Sequence, residues 1–365
     1  QIYFAYEFLK HDAVFDWCHK SSKTENWIII SLRHALDDIA HTRDATSASI
    51  MLNMGLELAF TNLQFVALSA DAAKHGDHSF ATMLQSIQSD EARHAQIGEP
   101  IVRIMVENGK KEEAQKLVEI AFWRMWKQFS ALSGIGMDYY TPLEHRENSL
   151  KEFMEEWVIG QFGRTVEALG LDLPWYWDIL KEDITSFHHA NQIGVYVYRE
   201  TEWWRPIACT SPAERDWLEE KYPGWNETYG KCWDVIANNI RNGDFEKTVP
   251  AAPPLICNMC GLEVVGTAGD HWNAVNHNVD IDDRRYHFCS EPCKWIFELE
   301  PERYKGHASI IDRVFDGTIG PELEDFYTYM GQSPAERGTD GYDFRWVDGY
   351  NVGEDETVEK VAATG

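Results

Sequence analysis

Residues 50–68 read IMLNMGLELAFTNLQFVAL, and Glu57 is the one ionisable side chain among them. A carboxylate in so apolar a helix costs several kcal/mol or more unless a partner, a proton or a metal compensates it. Asn53, Glu57, Thr61 and Gln64 recur at i, i+4, i+8 and i+11, which draws one polar stripe along an otherwise buried helix. The stripe predicts a polar centre inside the protein rather than a bilayer span. No uninterrupted apolar run of 18 residues occurs, and this stretch carries too many amides for a membrane helix.

Thirty-four residues after Glu57, the stretch Ser86-Ile87-Gln88-Ser89-Asp90-Glu91-Ala92-Arg93-His94 contains Glu-x-x-His, a carboxylate and an imidazole on one helical face. Lys74-His75-Gly76-Asp77-His78-Ser79 reads as the intervening turn, with Ser79 as its N-cap. Counted back from that turn at roughly 1.5 Å per residue, Glu57 sits about 25 Å down one helix and Glu91 and His94 about 18–22 Å down its antiparallel mate. A Glu on one helix facing Glu-x-x-His on the next is half of the carboxylate-bridged di-iron pattern of four-helix bundles. Glu-x-x-His alone is weak, as the near-misses Asp16-x-x-His19 and Asp38-x-x-His41 show. The alternative is a buried Glu–Arg or Glu–His pair that only organises the core.

After the Pro-rich stretch Val249–Pro254 the chemistry changes. Four of seven cysteines fall at Cys257-x-x-Cys260 and Cys289-x-x-x-Cys293, with 28 residues between the pairs. Such spacing in a chain without a secretory signal favours a tetrahedral Zn²⁺ over disulfides, and four protein ligands make it structural. Cys257–Gly261 reads as a knuckle turn, Tyr286–Cys289 as a strand end, and Ser290–Cys293 as a helix start whose dipole helps hold thiolate charge. Reduced, unmetallated thiols are the alternative. His271, His277 and His287 lie close enough in sequence to replace one cysteine; Cys18, Cys209 and Cys232 read as plain core residues, and His188-His189, with no carboxylate at ligand spacing, as a surface or core pair.

With 365 residues, two domains are expected, and 44% hydrophobic residues suffice for a core. A net charge of −27 disfavours nucleic acid and anionic membranes as partners. The 15 Trp point to a large aromatic core or wide interfaces. GxGxxG and GxxxxGK[ST] are both missing, so no nucleotide-binding loop is read. Residues 1 to about 205 read as helical (Trp27–Ala40, Ile101–Asn108, Lys111–Leu132, Glu152–Leu169 and Trp177–Tyr198 besides the pair above), and Ser211-Pro212 starts a further helix that Tyr222-Pro223-Gly224 ends.

Taken with Phe60-Thr61-Asn62, Ser86–Gln96, Met137-Asp138-Tyr139-Tyr140-Thr141-Pro142-Leu143-Glu144, Pro174-Trp175-Tyr176-Trp177-Asp178 and Trp217–Trp225, the chain resembles the large (alpha) subunit of the bacterial multicomponent monooxygenases, phenol hydroxylase and toluene monooxygenase branch. The resemblance runs along almost the whole chain, and the cysteine region resembles the small YHS-type metal module, which tilts it toward the phenol hydroxylases. It implies a mainly α fold: a ferritin-like, ribonucleotide-reductase-like bundle with a small C-terminal α+β zinc module. The implied divisions are 1–205 for the second half of the di-iron bundle, 206–254 for a helical connection and linker, 255–310 for the YHS-like module and 311–365 for C-terminal helices and a tail.

The resemblance assigns Glu57, Glu91 and His94 as iron ligands, Asp90 as the carboxylate that orients a ligand histidine, and Thr61 as the threonine that assists proton delivery. Asn62, Phe65 and Gln88 would line the substrate pocket. Leu36 and Leu56 stand where the toluene enzymes commonly carry aromatics. The family's other two Glu and one His, on an earlier helix pair, have no counterpart before Glu57; the missing histidine would lie a few residues before Gln1, so the chain reads as an N-terminally truncated piece, inactive by itself. The implied reaction inserts one atom of O₂ into phenol, toluene or a related aromatic at two Fe, with electrons from NADH through a separate reductase carrying FAD and 2Fe-2S. Implied partners are beta and gamma hydroxylase subunits in a dimer of heterotrimers and a small effector protein, in the bacterial cytoplasm. The rivals are an alkene, isoprene or propane monooxygenase of the same family, a non-catalytic zinc-containing helical subunit and, less favoured, ferritin-like iron storage.

Overall fold

A computed structural model describes residues 27–41, 44–141, 143–198, 211–242, 255–264, 277–306 and 310–322, with a few isolated positions up to 329. The stretch at 1–26 and the Pro-rich segment 249–254 lie outside them. Helix α1 (Trp27–His41) is followed by α2 (Ala45–Lys74), a 30-residue helix that starts on Asp44, whose carboxylate accepts from the backbone N–H groups of Thr46 and Ser47 at 3.1 and 3.0 Å. Between Ile50 and Thr61 its backbone is wound as a π-helix; Asn62 N–H donates to Glu57 O, five residues back. By length and composition α2 could cross a membrane, yet about half of that window is buried in the protein: Ile50, Met54 and Phe60 are fully enclosed.

The turn after α2 is Gly76–Asp77, and the cap of α3 (His78–Glu107) is Asp77, not Ser79: its carboxylate accepts from Phe80 N–H at 2.9 Å. The expected separate helix at Ile101 is instead the last part of α3, which runs through Pro100. Pro removes one backbone donor there, while Ala95 and Val102 bury their side chains on either side of it and keep the rod seated. Helix α4 (Lys111–Phe129) is the central rod, buried on every side from Val118 to Phe129. Its crossing with α2 is set by Gly55, where a Cβ would come within 2.9 Å of Ala121. Phe60 of α2 stacks on Phe129 at 4.8 Å and leans on Phe122 at 5.3 Å.

Two π-turns (Ser130–Gly134 and Gly136–Tyr140) lead out of α4. Then come α5 (Leu150–Phe153) with a capping box from Ser149 and Glu152, a third π-turn (Met154–Ile159) and α6 (Gly160–Ala168). The continuous helix expected over Trp177–Tyr198 is two, α7 (Trp177–Ile184) and α8 (Phe187–Tyr198). The break falls where the Thr185 and Ser186 hydroxyls both donate to Glu182 O, at 2.8 and 2.9 Å, taking the carbonyl that would continue the ladder. Helix α9 (Pro212–Lys221) begins on its Ser211 cap as expected and α10 (Lys231–Arg241) follows.

The C-terminal part holds an antiparallel hairpin, β1 (Asn278–Ile281) with β2 (Arg284–His287), Asn278 opposite His287. Asp282 and Asp283 make its turn, both at positive φ, as a tight two-residue turn between right-twisted strands requires. Helices α11 (Glu291–Leu299), α12 (Pro301–Tyr304) and α13 (Ile310–Phe315) complete it. Charged residues inside α4 are paired outward to the rest of the fold: Arg124 to Asp38 of α1, and Lys127 to Asp183 of α7 at 3.1 Å, the latter pair fully buried.

Candidate metal centres

Helices α2 and α3 bring Glu57, Glu91 and His94 together, with one donor atom from each within 4.8 Å of the others. His94 Nδ1 stands 3.4 Å from Glu57 Oε1. The other oxygen, Glu57 Oε2, accepts from Asn53 Nδ2 at 2.5 Å, which fixes the carboxylate plane. Thr61 Oγ1 donates to Glu91 Oε2 at 3.5 Å. Burial, then the neighbouring Glu57 charge, push the Glu91 carboxyl above its ordinary range. A cation between the two carboxylates would relieve that repulsion, and carboxylate oxygens with an imidazole nitrogen are donors that suit iron. The cluster is thus consistent with an iron site.

The polar stripe divides. Asn53, Glu57 and Thr61 face the centre, but Gln64 donates to Ser133 Oγ at 3.2 Å on the π-turn after α4. The i→i+5 winding turns each residue less far than an α-helix does, so positions read at α-helical spacing drift and the fourth is carried off the face. Gln88 Nε2 donates to Asn62 Oδ1 at 2.9 Å, joining α3 to α2 beside the trio. Phe65 and Leu56 are half-buried, whereas Leu36 is 43% exposed on α1. Asp90 is exposed and paired with Arg93 at 2.5 Å.

The second cluster is the four thiols Cys257, Cys260, Cys289 and Cys293, all buried and within 4.8 Å of one another. Sγ–Sγ separations are 3.8 Å for Cys260–Cys289 and 3.5 Å for Cys289–Cys293. A tetrahedral Zn²⁺ with Zn–S bonds of about 2.3 Å needs sulfurs roughly 3.8 Å apart, so the cage fits zinc. The knuckle closes through Gly261 N–H to Cys257 O (2.9 Å) and Cys260 N–H to Cys257 Sγ (3.5 Å). Gly261 has φ +74°, and a Cβ there would lie 2.9 Å from Ser31 of α1. Ser290 caps α11, so Cys293 sits in that helix's first turn. Without metal, and against burial, hydrogen bonds from neighbouring thiols make Cys257 and Cys289 the acidic pair, while burial and thiolate charge push Cys260 and Cys293 up. Neither His277 nor His287 belongs to the cluster, His271 lies outside the described residues, and Cys232 is exposed rather than a core residue. Cys18 and Cys209 also lie outside the described residues.

A third grouping was not legible in the sequence. His188 and His189 of α8 are fully buried and do have a carboxylate, Asp138, supplied from 50 residues away. Asp138 Oδ2 accepts from His188 Nε2 at 2.8 Å and Tyr222 OH at 2.6 Å, and Oδ1 from Leu150 N–H at 3.0 Å. His189 Nδ1 bonds the Tyr139 hydroxyl, and burial holds the ring well below the usual imidazole range, neutral. These bonds make a buried network joining the π-turn after α4 to α8 and the end of α9, while His188 Nδ1 and His189 Nε2 stay buried without a hydrogen-bond partner among the described residues.

A profile of the Methane/Phenol/Alkene Hydroxylase family matches residues 1–109, and a YHS domain profile matches residues 277–308. The chain is 40% identical to the oxygenase component alpha subunit of the alkene monooxygenase system of Xanthobacter autotrophicus, over 95% of this chain and 70% of that protein. It is 28% identical to the phenol 2-monooxygenase oxygenase component of a Pseudomonas species (89% and 63%), and 30% identical to the propane 2-monooxygenase hydroxylase large subunit of a Gordonia species (73% and 50%). The chain thus spans between half and about two thirds of the length of these relatives. The crystal structure of xenon-pressurized phenol hydroxylase from Pseudomonas sp. OX1 superposes with a TM-score of 0.72 at 26% identity, covering 86% of this chain and 64% of that one. The helical bundle is of the ferritin-like di-iron hydroxylase type, and the hairpin with its cysteines is consistent with a YHS-type zinc module.

Proposed function

The chain belongs to the methane, phenol and alkene hydroxylases, as an alpha-subunit-like member of the bacterial multicomponent di-iron monooxygenases, and on that premise we propose that it serves as the oxygenase large subunit of an alkene monooxygenase. The order of substrates expected from sequence motifs is thereby inverted. Support for the alkene comes from the 40% identity to an alkene monooxygenase alpha subunit against 28% to a phenol enzyme. The oxygenase reading itself rests on the meeting of Glu57, Glu91 and His94 beside the Thr61 hydroxyl.

In this reading the Glu57 and Glu91 carboxylates and His94 Nδ1 hold iron. When bound, the two irons supply the activation of O₂, one atom going to substrate and the other leaving as water, with electrons delivered from NADH by a partner reductase. The chain's own side chains do the rest. Asn53 holds Glu57 in one orientation, and Thr61 keeps a hydroxyl proton at Glu91 Oε2. The Gln88–Asn62 bond keeps α3 in register with α2 beside the site. Asp90 is proposed to orient a ligand histidine, and Phe65, Leu56 and Leu36 to border the pocket. Beta and gamma subunits and an effector protein are the proposed partners.

The test is product analysis on the reconstituted hydroxylase with its reductase and NADH, offered propene and phenol in turn. Epoxide from propene with little catechol supports the proposal; catechol as the main product establishes the second reading, phenol hydroxylation, which the four cysteines of the YHS module and the phenol hydroxylase superposition favour. Iron analysis of the same preparation finding none would sink both, and Glu57→Ala is expected to lose iron and turnover together.

A further inference from the structure

Four thiolates around one divalent ion leave two surplus negative charges in a place where every ligand is buried, and a buried charge needs donors or a counter-charge. The YHS module does not supply these alone. Trp123, on the bundle's central helix α4, aims its indole Nε1–H at Cys293 Sγ, 3.2 Å away and 170 residues distant in sequence. One turn on, Lys127 is fully enclosed and salt-bridged to Asp183. The next residue, Gln128, donates to Cys260 O at 3.1 Å, and Ser31 Oγ donates to that same carbonyl. The indole is itself fixed, edge-on to Tyr176 at 4.9 Å, whose hydroxyl is tied to Glu119 O.

We propose that α4 completes the zinc site from outside the module: Trp123 is a positioning residue for the Cys293 thiolate, and the metal cage is the joint that fastens the YHS module to the bundle. This rests on the zinc reading of the four cysteines. Trp123 therefore fixes the lone-pair direction and lowers the basicity of Cys293. Outer hydrogen-bond partners of metal ligands typically change metal affinity about 10–100-fold when removed.

The experiment uses the full chain loaded with zinc, and separately with Co²⁺. Metal transfer to a colorimetric chelator is timed for the parent, Trp123→Phe, and a variant with benzothiophene replacing the indole at position 123, which keeps the bicycle and deletes only the N–H. The expected result is one zinc per parent chain, release at least about tenfold faster in both variants, and a shifted thiolate-to-cobalt charge-transfer band. A parent chain without zinc overturns the zinc reading. A parent with zinc whose benzothiophene variant releases it within twofold of the parent rate, with an unmoved cobalt band, overturns the role of Trp123 and leaves the zinc reading standing.

Discussion

Replacing Gly55 by Ala should destabilise the protein, against the usual sign for a helical glycine. In an open helix interior the exchange gains about 0.5–1 kcal/mol, because glycine loses more backbone freedom on folding. At Gly55 the new Cβ would meet Ala121 C and Cβ at 2.9 Å and Ala121 O at 3.0 Å. Restoring ordinary contact distances of about 3.5 Å means moving α2 and α4 apart by roughly half an ångström. Two of the three obstructing atoms are backbone, so no rotamer change relieves them. Overpacking of this kind costs about 1–3 kcal/mol, leaving a net loss of up to about 2.5 kcal/mol. Gly136→Ala is the internal control: nothing lies within 4 Å of the added methyl and its φ is not positive, so the expected change is a gain of up to about 1 kcal/mol. Urea unfolding of the two variants beside the parent reads both signs. Since Gly55 lies two residues from Glu57, Gly55→Ala should also weaken metal binding at the Glu57–Glu91–His94 cluster. If Gly55→Ala is as stable as Gly136→Ala, the close crossing of α2 on α4 is not what glycine serves there.

Asp138→Ala should cost more than about 3 kcal/mol, because it orphans His188 Nε2, Tyr222 OH and Leu150 N–H at once and each such loss is worth about 1–3 kcal/mol; a melting curve within error of the parent would contradict this. Glu119 is held above the ordinary carboxyl range by burial, which outweighs its bonds from Gln115 and Trp175 N–H. A raised folded pKa contributes stability below the unfolded value that is lost as pH rises through the folded one, so Glu119→Gln should gain on the parent as pH rises above the ordinary carboxyl range, and parallel stability–pH profiles would refute it. Cys257→Ser should abolish the stoichiometric zinc and make residues 255–306 the first to exchange amide hydrogens, whereas unchanged zinc content and exchange would leave the thiols without a structural role.

The candidate metal clusters were legible as groupings because their signals are local. A lone charge in an apolar run, Glu-x-x-His, and Cys pairs at knuckle spacing each put chemistry into a few neighbouring residues, and α2, α3 and the hairpin deliver them to common points. What escaped was decided at long range. Nothing near His188 announces Asp138, since the two meet only when the π-turn after α4 packs on α8. Lys127 and Asp183 look like ordinary solvated charges on amphipathic helices until both are buried against each other. The division of α7 from α8 turned on two hydroxyls bonding one carbonyl, and Gln64 was misplaced because the winding of α2 is not written in its hydrophobic pattern.

That winding has a genetic consequence. A run of i→i+5 bonds from Ile50 to Thr61 carries slack in the chain: loss of one codon there need not break the helix, because the ladder can fall back to i→i+4. The reversion takes up the missing residue, so the helix beyond Thr61 keeps its facing, and only residues inside the wound segment turn relative to their neighbours. A deletion between Asn53 and Glu57 would thus keep the fold and turn Glu57 away from the asparagine that holds it. Length variation in this segment should be tolerated by the scaffold and punished only at the metal.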